Sequence, residues 1–402
     1  MALSSGTPTA LSGRLVTDAG IVDDGVLRWD GSRITEAGPA AGGAPAERLP
    51  EGFLILPGLI DLHCHGAGGG DFTSGSPADV EAAAAHLHRS GTTTLLASTC
   101  AAPLADLEAA FGRLAGATEA GLIAGIHAEG PFLSPERTGA QDPAFLLLPT
   151  QEDVARLVVA GRGHLTSMTY APELPGSDVL VYELVTHGVI PSIGHTDSST
   201  EETTAALDLI NEELASTGFA GFSGRPTATH LFNAMPAIHH RSPGPVPLLL
   251  QRARAGEIAV ELIADNVHLH PETVRMAFTI AGSENICLVS DSTAAAGCTS
   301  GTYRLGRSEI AVVGNSAVLT ASGALAGGAA SLLDVVRCTV EAGVGAEDAV
   351  RSATAVPAGV LGLADEVGSL RSGLRADALV VSPDLQLKGV LRGGTWVRPL
   401  EY

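Results

Sequence analysis

From Pro57 onward the chain repeats one pattern: a short apolar run, a polar loop, then an amphipathic stretch. Eight such apolar runs end near His65, Thr99, Glu129, Pro172, His195, Phe232, Asp265 and Asp291. Helical periodicity lies between them, for example at 78–90, 104–114, 150–160, 199–214 and 271–281. Ser199 reads as a helix cap and Pro271 as a first helical residue. Strands alternating with helices pair in parallel, because a parallel crossover needs the length of a helix. Eight units of this kind fit a closed (β/α)8 barrel of the TIM type, within the α/β class. An open doubly wound sheet is the alternative. The absence of GxGxxG after the first strand weakens its dinucleotide-binding form.

The chain ends have a different texture. Residues 10–16, 25–29 and 53–56 are short apolar stretches separated by turn residues, and 37–46 reads as a surface loop. After Asp291 come glycine-rich segments at 297–301 and 323–328, then helical patterns near 330–342, 346–354 and 357–363. Short strands return at 378–382, 389–392 and 395–397. The expected organisation is a barrel over 57–368, with a small β-sandwich domain built jointly from 1–56 and 369–402.

Composition narrows the chemistry. With 45% hydrophobic but only 4% aromatic residues, the core must be filled by aliphatic side chains. A net charge of −21 argues against nucleic acid or an anionic membrane as partner. A small anionic ligand needs only a local patch and is not excluded. Cys64, Cys100, Cys287, Cys298 and Cys338 show no CxxC spacing, which suits free thiols in a reducing cytoplasm. No signal-like start and no transmembrane run is found, so a cytoplasmic protein is expected. Lys388 is the only lysine. A catalytic lysine in the barrel, as Schiff base or carbamylated metal bridge, is therefore ruled out.

Active sites of such barrels lie at the C-terminal strand ends, and residues that bind metals recur there. His63 and His65 flank Cys64 at the first end, and alternation along a strand points both imidazoles the same way. Glu129 closes the third strand, His195 the fifth and Asp291 the eighth, while His230 lies on the sixth. Singly, each reads as a hydrogen-bonded polar residue or a helix cap. Together, four imidazoles and two carboxylates on one rim suit a divalent cation such as zinc. His127, two residues before Glu129, is either a further ligand or a group packed behind the ligands. His86, His88, His164 and His187 read as structural or surface residues.

The ordered stretches PGLIDLHCH (57–65), HAEGPF (127–132), GH (194–195), THLFNAMP (229–236) and LVSDST (288–293) resemble the amidohydrolase superfamily. Within it they resemble the branch that deacetylates N-acetyl sugar phosphates. The similarity runs over nearly the whole chain. It implies a metal-dependent hydrolase that cleaves the acetamide of N-acetylglucosamine 6-phosphate, or of another N-acetyl sugar phosphate such as the galactosamine epimer. By that resemblance Glu129, His195 and His230 are the principal metal ligands, with Glu129 where binuclear relatives use a carbamylated lysine. His63 and His65 match a second, weaker metal site, and Asp291 matches the catalytic acid/base. Asn233, the backbone N–H of Ala234, His268 and Arg241 match phosphate contacts. Arg241 is expected from the neighbouring subunit of a homodimer. Ala140 and Gln141 stand in the loop that meets the acetyl group. Gln141 departs from the more usual histidine, and its amide can donate a hydrogen bond but cannot titrate. A non-catalytic scaffold on this fold would have lost ligands or the acid/base, and all are present.

Overall fold

A computed structural model describes residues 9–40, 45–217, 225–314 and 316–402 of the protein. Eight parallel strands follow one another in space as they do in sequence. They are β1 (Leu59–Cys64), β2 (Thr92–Thr99), β3 (Gly125–Glu129) and β4 (Leu165–Tyr170). The circuit continues with β5 (Ile190–Ile193), β6 (Thr227–Ala228), β7 (Ala259–Leu262) and β8 (Ile286–Leu288). Just past β8, the Asp291 N–H donates to the His63 carbonyl at 2.9 Å and the His65 N–H donates to the Ser292 carbonyl at 2.6 Å. These two bonds stitch the last strand to the first and close the barrel. The closed form, not the open sheet, is therefore the fold.

Local chemistry explains the elements. β2, TTTLLAST, is rich in β-branched residues and buried along its whole length, as a barrel strand covered on both faces requires. The helix Pro77–Arg89 begins with a capping box: the Ser76 hydroxyl accepts from the Asp79 N–H, and the Asp79 carboxylate accepts from the Ser76 N–H. The helix Thr200–Thr217 is opened in the same way by Ser199 and Glu202, and Pro271 starts the helix Pro271–Ala281 as expected. Phe132 and Tyr170 are fully buried, and the Ala171 N–H donates to the Phe132 carbonyl at 2.9 Å. Full burial of such a ring contributes about 1.5–3 kcal/mol. Here it also pins the loop after β3, and with it Glu129, against β4.

Both chain ends share one eight-stranded sheet. The C-terminal strands Thr395–Arg398, Leu387–Arg392 and Ala378–Val381 run into the N-terminal strands Leu54–Pro57, Ala10–Thr17, Gly20–Asp30 and Arg33–Pro39, with Glu47–Arg48 pairing on Ala10–Thr17. The segment 37–46 is thus not all loop: its first residues finish the edge strand Arg33–Pro39, and 41–44 lie outside the described residues. A second correction concerns 302–328. In place of glycine-rich connections the chain forms a four-stranded antiparallel sheet of Thr302–Leu305, Ser308–Val313, Ser316–Leu319 and Leu325–Gly328. Its last strand lies against the rim, where the Gly328 N–H donates to the Asp291 carbonyl at 2.7 Å. Gly327 has φ +104, and a Cβ there would come within 2.8 Å of the Asp291 carbonyl oxygen, so only glycine lets the strand approach so closely.

Candidate active site

At the C-terminal end of the barrel a cavity of ≈ 170 Å³ is lined by His65, Glu129, Gly139, Ala140, Gln141, His195, His230, Asn233, Ala234, His268 and Asp291, with Leu305, Leu325, Ala326 and Gly327 from the inserted sheet. Ten residues singled out in the sequence therefore meet in one place. His63 is fully buried beneath His65. Arg241 is exposed and is not part of this lining.

The imidazoles of His63 and His65 do point together, their Nε2 atoms 3.0 Å apart, while the Cys64 thiol turns away to the Leu96 carbonyl. His195 and His230 face each other in the same manner, Nε2 to Nε2 at 3.1 Å. Glu129 lies between the pairs. Its Oε1 is 2.9 Å from His230, 3.1 Å from His195 and 3.4 Å from His63, and its Oε2 is 3.4 Å from His65. Asp291 Oδ1 lies 3.3 Å from His65 and 3.5 Å from His63. Two triads result, His63–His65–Asp291 and Glu129–His195–His230, each with ligand atoms within 4.8 Å of one another.

The outer nitrogens show which atoms face inward. His63 Nδ1 meets the Glu261 carboxylate at 3.3 Å, His65 Nδ1 the Cys100 thiol at 3.3 Å, and His195 Nδ1 the Arg137 carbonyl at 2.8 Å. A proton on each Nδ1 leaves a bare Nε2 lone pair aimed at the centre. Lone pairs and carboxylate oxygens packed this tightly repel one another unless a cation lies among them. The donor set, imidazole nitrogen with carboxylate oxygen, fits a divalent metal. His127 is not oriented this way. Its Nδ1 bonds the Ser98 hydroxyl at 2.9 Å and its Nε2 the Thr169 hydroxyl at 2.8 Å, so both nitrogens are already used. Burial, then His63, pushes its pKa well below that of a free imidazole, and the ring stays neutral.

The backbone under these side chains is strained. Among the described residues eight non-glycine residues have positive φ, and four of them are His195 (47°), His230 (28°), Ala234 (50°) and Asp291 (47°). Left-handed conformations at such residues cost free energy and cluster where side chains must be aimed. The strain turns each residue sharply off its strand end and into the cavity.

The remaining groups are held by named partners. The Gln141 carbonyl oxygen accepts from the Ala101 N–H at 2.7 Å, and its amide nitrogen donates to Glu129. The Asn233 amide donates to the His230 carbonyl at 3.2 Å. His268 Nδ1 lies 2.8 Å from Asp265 Oδ2. Burial alone would lower the His268 pKa and raise that of Asp265, but each group outweighs it for the other: Asp265 raises His268, and His268 holds Asp265 below the usual carboxylate range. Sequence reading missed Glu261 and Cys100. Glu261 had a signal: it is the one charged residue in the apolar run 258–264. Cys100 had none, because a buried thiol is ordinary.

No helix among the described residues is long and apolar enough to cross a membrane. Set beside known proteins, the chain is 32% identical to the N-acetylgalactosamine-6-phosphate deacetylase of Escherichia coli O157:H7, with 94% of this chain and 96% of that protein covered. It is 30% identical to the N-acetylglucosamine-6-phosphate deacetylase of Bacillus subtilis, with 93% and 92% covered. The structure of N-acetyl-D-glucosamine-6-phosphate deacetylase from Mycobacterium smegmatis, solved in complex with N-acetyl-D-glucosamine-6-phosphate, superposes with a TM-score of 0.89 at 34% identity, covering 98% of this chain and 100% of that one. The sequence profile of the amidohydrolase family matches residues 54–397, which span the barrel and both of its metal-type triads; the chain belongs to the amidohydrolase family.

Proposed function

We propose that the protein hydrolyses the acetamide of N-acetyl-D-glucosamine 6-phosphate, giving glucosamine 6-phosphate and acetate, as a cytoplasmic enzyme of amino-sugar breakdown. The observation that carries this reading is the convergence of four imidazoles on Glu129, with Asp291 beside two of them, at one cavity. Asn233, Ala234 and His268 supply its wall. Glu129, His195 and His230 would hold a first zinc ion, and His63 and His65, with Asp291 beside them, a second and weaker one. Zinc so held would polarise the acetyl carbonyl and acidify water, the usual chemistry of such centres.

The protein's own groups then have distinct tasks. Burial alone would raise the Asp291 pKa, but positive charge held at the neighbouring His63 and His65 outweighs it and lowers it. Asp291 therefore meets the substrate as the base form. Its carboxylate takes the proton of the attacking water and returns it to the departing sugar amine. The Gln141 amide carries two hydrogens. Glu129 takes one, and the other is free to donate to the acetyl oxygen as charge develops there. Asn233, the Ala234 N–H and His268 hold the phosphate end, joined by Arg241 from the second subunit of a homodimer. That assignment agrees with Arg241 being exposed in the single chain.

The test is acetate release from N-acetylglucosamine 6-phosphate, its galactosamine epimer and unphosphorylated N-acetylglucosamine. The epimer is the second reading, favoured by the named substrate of the E. coli relative. Turnover of free N-acetylglucosamine as fast as of either phosphate would overturn both readings. In the same assay, Arg241→Ala should raise KM for the phosphorylated sugar by an amount worth roughly 1.5–3 kcal/mol, leaving the free sugar unaffected. Equal losses on both sugars would remove Arg241 from the phosphate site. Mixing Arg241→Ala with an Asp291 variant should restore activity in hybrid dimers, since each then keeps one intact site.

His268 gives the binding step a pH signature. Its raised pKa keeps the imidazolium above the ordinary titration range of histidine, and the charge is lost only as pH rises through that raised value. KM for the phosphorylated sugar should therefore climb as pH rises through that raised value, while KM for the free sugar stays level. In His268→Gln the climb should vanish. A parallel rise for both sugars would mean that His268 does not read the phosphate.

A further inference from the structure

Glu261 has no task in the chemistry above, yet it is buried at the centre of the rim. It sits on β7, and its Oε2 makes two contacts. One is to His63 Nδ1 at 3.3 Å, and the other accepts the His230 backbone N–H at 3.3 Å. A single carboxylate oxygen thus touches a member of each triad. Facing His63 Nδ1, it keeps the proton on that atom and leaves Nε2 bare toward the centre, where the His65 Nε2 waits.

The charges of the rim bear on what that contact is for. Glu129 and Asp291 together carry two negative charges, which balance one divalent cation. A third buried carboxylate would then be surplus, and an unpaired buried charge is strongly destabilising. Two divalent cations reverse the sum, because two carboxylates leave half of their charge uncompensated. Asp61, the neighbouring buried carboxylate, is engaged elsewhere. It accepts from the Ser290 hydroxyl at 2.6 Å and from the backbone N–H groups of His63 and Ser290. Glu261 is the carboxylate placed directly behind a metal-facing imidazole.

We propose that Glu261 is a positioning residue for a second cation. It fixes the tautomer and angle of His63 and supplies the negative charge that makes a two-ion site tolerable. The inference rests on the reading of Glu129, His195 and His230 as the first-ion group. It separates the two triads: loss of the Glu261 charge weakens the His63–His65–Asp291 triad and spares the other.

The experiment titrates zinc-free full-length protein with zinc against a competing chromophoric chelator, and in parallel with cobalt(II) followed by its visible absorption. Wild type, Glu261→Gln and Glu261→Asp are compared. Gln keeps an acceptor oxygen for both contacts and loses only the charge; Asp keeps the charge on a shorter arm. Wild type should take up two ions in two steps. In Glu261→Gln the first step should persist and the second should weaken by about 10–100-fold, the usual cost of removing an outer partner of a metal-bound histidine. Glu261→Asp should lose less. Zinc-free Glu261→Gln should melt no lower than wild type, since it removes a buried charge that no cation offsets. The proposal fails if the second step is unchanged in Glu261→Gln, or if both steps weaken alike. It also fails if Asp is as impaired as Gln, or if zinc-free Glu261→Gln melts below wild type. No metal uptake by the wild type would overturn the metal reading itself; the other failures overturn the role of Glu261 alone.

Discussion

Asp291→Asn is expected to fold, to retain the ion held by Glu129, His195 and His230, and to lose about 10²–10⁴-fold in kcat, the usual range of general acid–base catalysis. The fold should survive for a local reason. Asp291 has φ 47°, a left-handed conformation in which asparagine is enriched, and its backbone is tied on both sides, to the His63 carbonyl and the Gly328 N–H. Asparagine can still bond to His65 but cannot carry a proton from water to amine. Because Asp291 Oδ1 also lies 3.3 Å from His65, the variant should hold any second ion less tightly. Turnover must therefore be measured at saturating zinc. Acetate release per zinc-loaded site is the readout. Near-normal kcat in a folded, zinc-loaded variant would remove Asp291 from the proton path.

The parts of this molecule that were readable in the sequence share a physical cause. A barrel strand is buried on both faces, so it appears as an apolar run, and the first polar residue after it marks the rim. That is why the ends at Glu129, His195 and Asp291 could be placed to within a few residues. β6 shows the limit: only Thr227 and Ala228 pair as strand, and His230 follows on a strained turn. The sheet at 302–328 was not legible because its strands are short and mostly half-buried, so burial imposes no clean alternation on them. Arg33–Pro39 was missed for a related reason: an edge strand tolerates glycine and proline that a central strand would not.

The site was legible at the level of residue type and not of direction. Alternation predicted that His63 and His65 would point together, and their Nε2 atoms lie 3.0 Å apart. Alternation alone left open whether His127 is a further ligand or packs behind the ligands. The difference is made by the hydroxyls of Ser98 and Thr169, which come from the strands on either side and occupy both of its nitrogens. Gln141 was noticed only as a departure. The structure adds that the Ala101 N–H fixes which end of its amide faces Glu129. Such details depend on contacts between residues distant in sequence, and only the fold brings them together.

Removing one triad at a time should separate the two proposed ions. His195→Asn/His230→Asn is expected to lose the tight ion and nearly all turnover. Lewis-acid assistance supplies several kcal/mol, and each ~1.4 kcal/mol is tenfold, so the loss should be on the order of 10³-fold or more. Both positions have positive φ, which asparagine accepts, so a folding failure is not the expected cause. His63→Asn/His65→Asn should behave differently. Glu129, His195 and His230 remain as a three-ligand site, the common form of a catalytic zinc centre with an open position. One ion should stay, and the second should be gone at every zinc concentration tried. Zinc content by elemental analysis across a zinc titration, with turnover on the same samples, distinguishes the cases. If the His63/His65 variant loses all its metal while the His195/His230 variant keeps one ion, the tight site belongs to the first triad. Asp291 would then have to be read as a ligand of the primary ion, and its part in proton transfer would need a different residue.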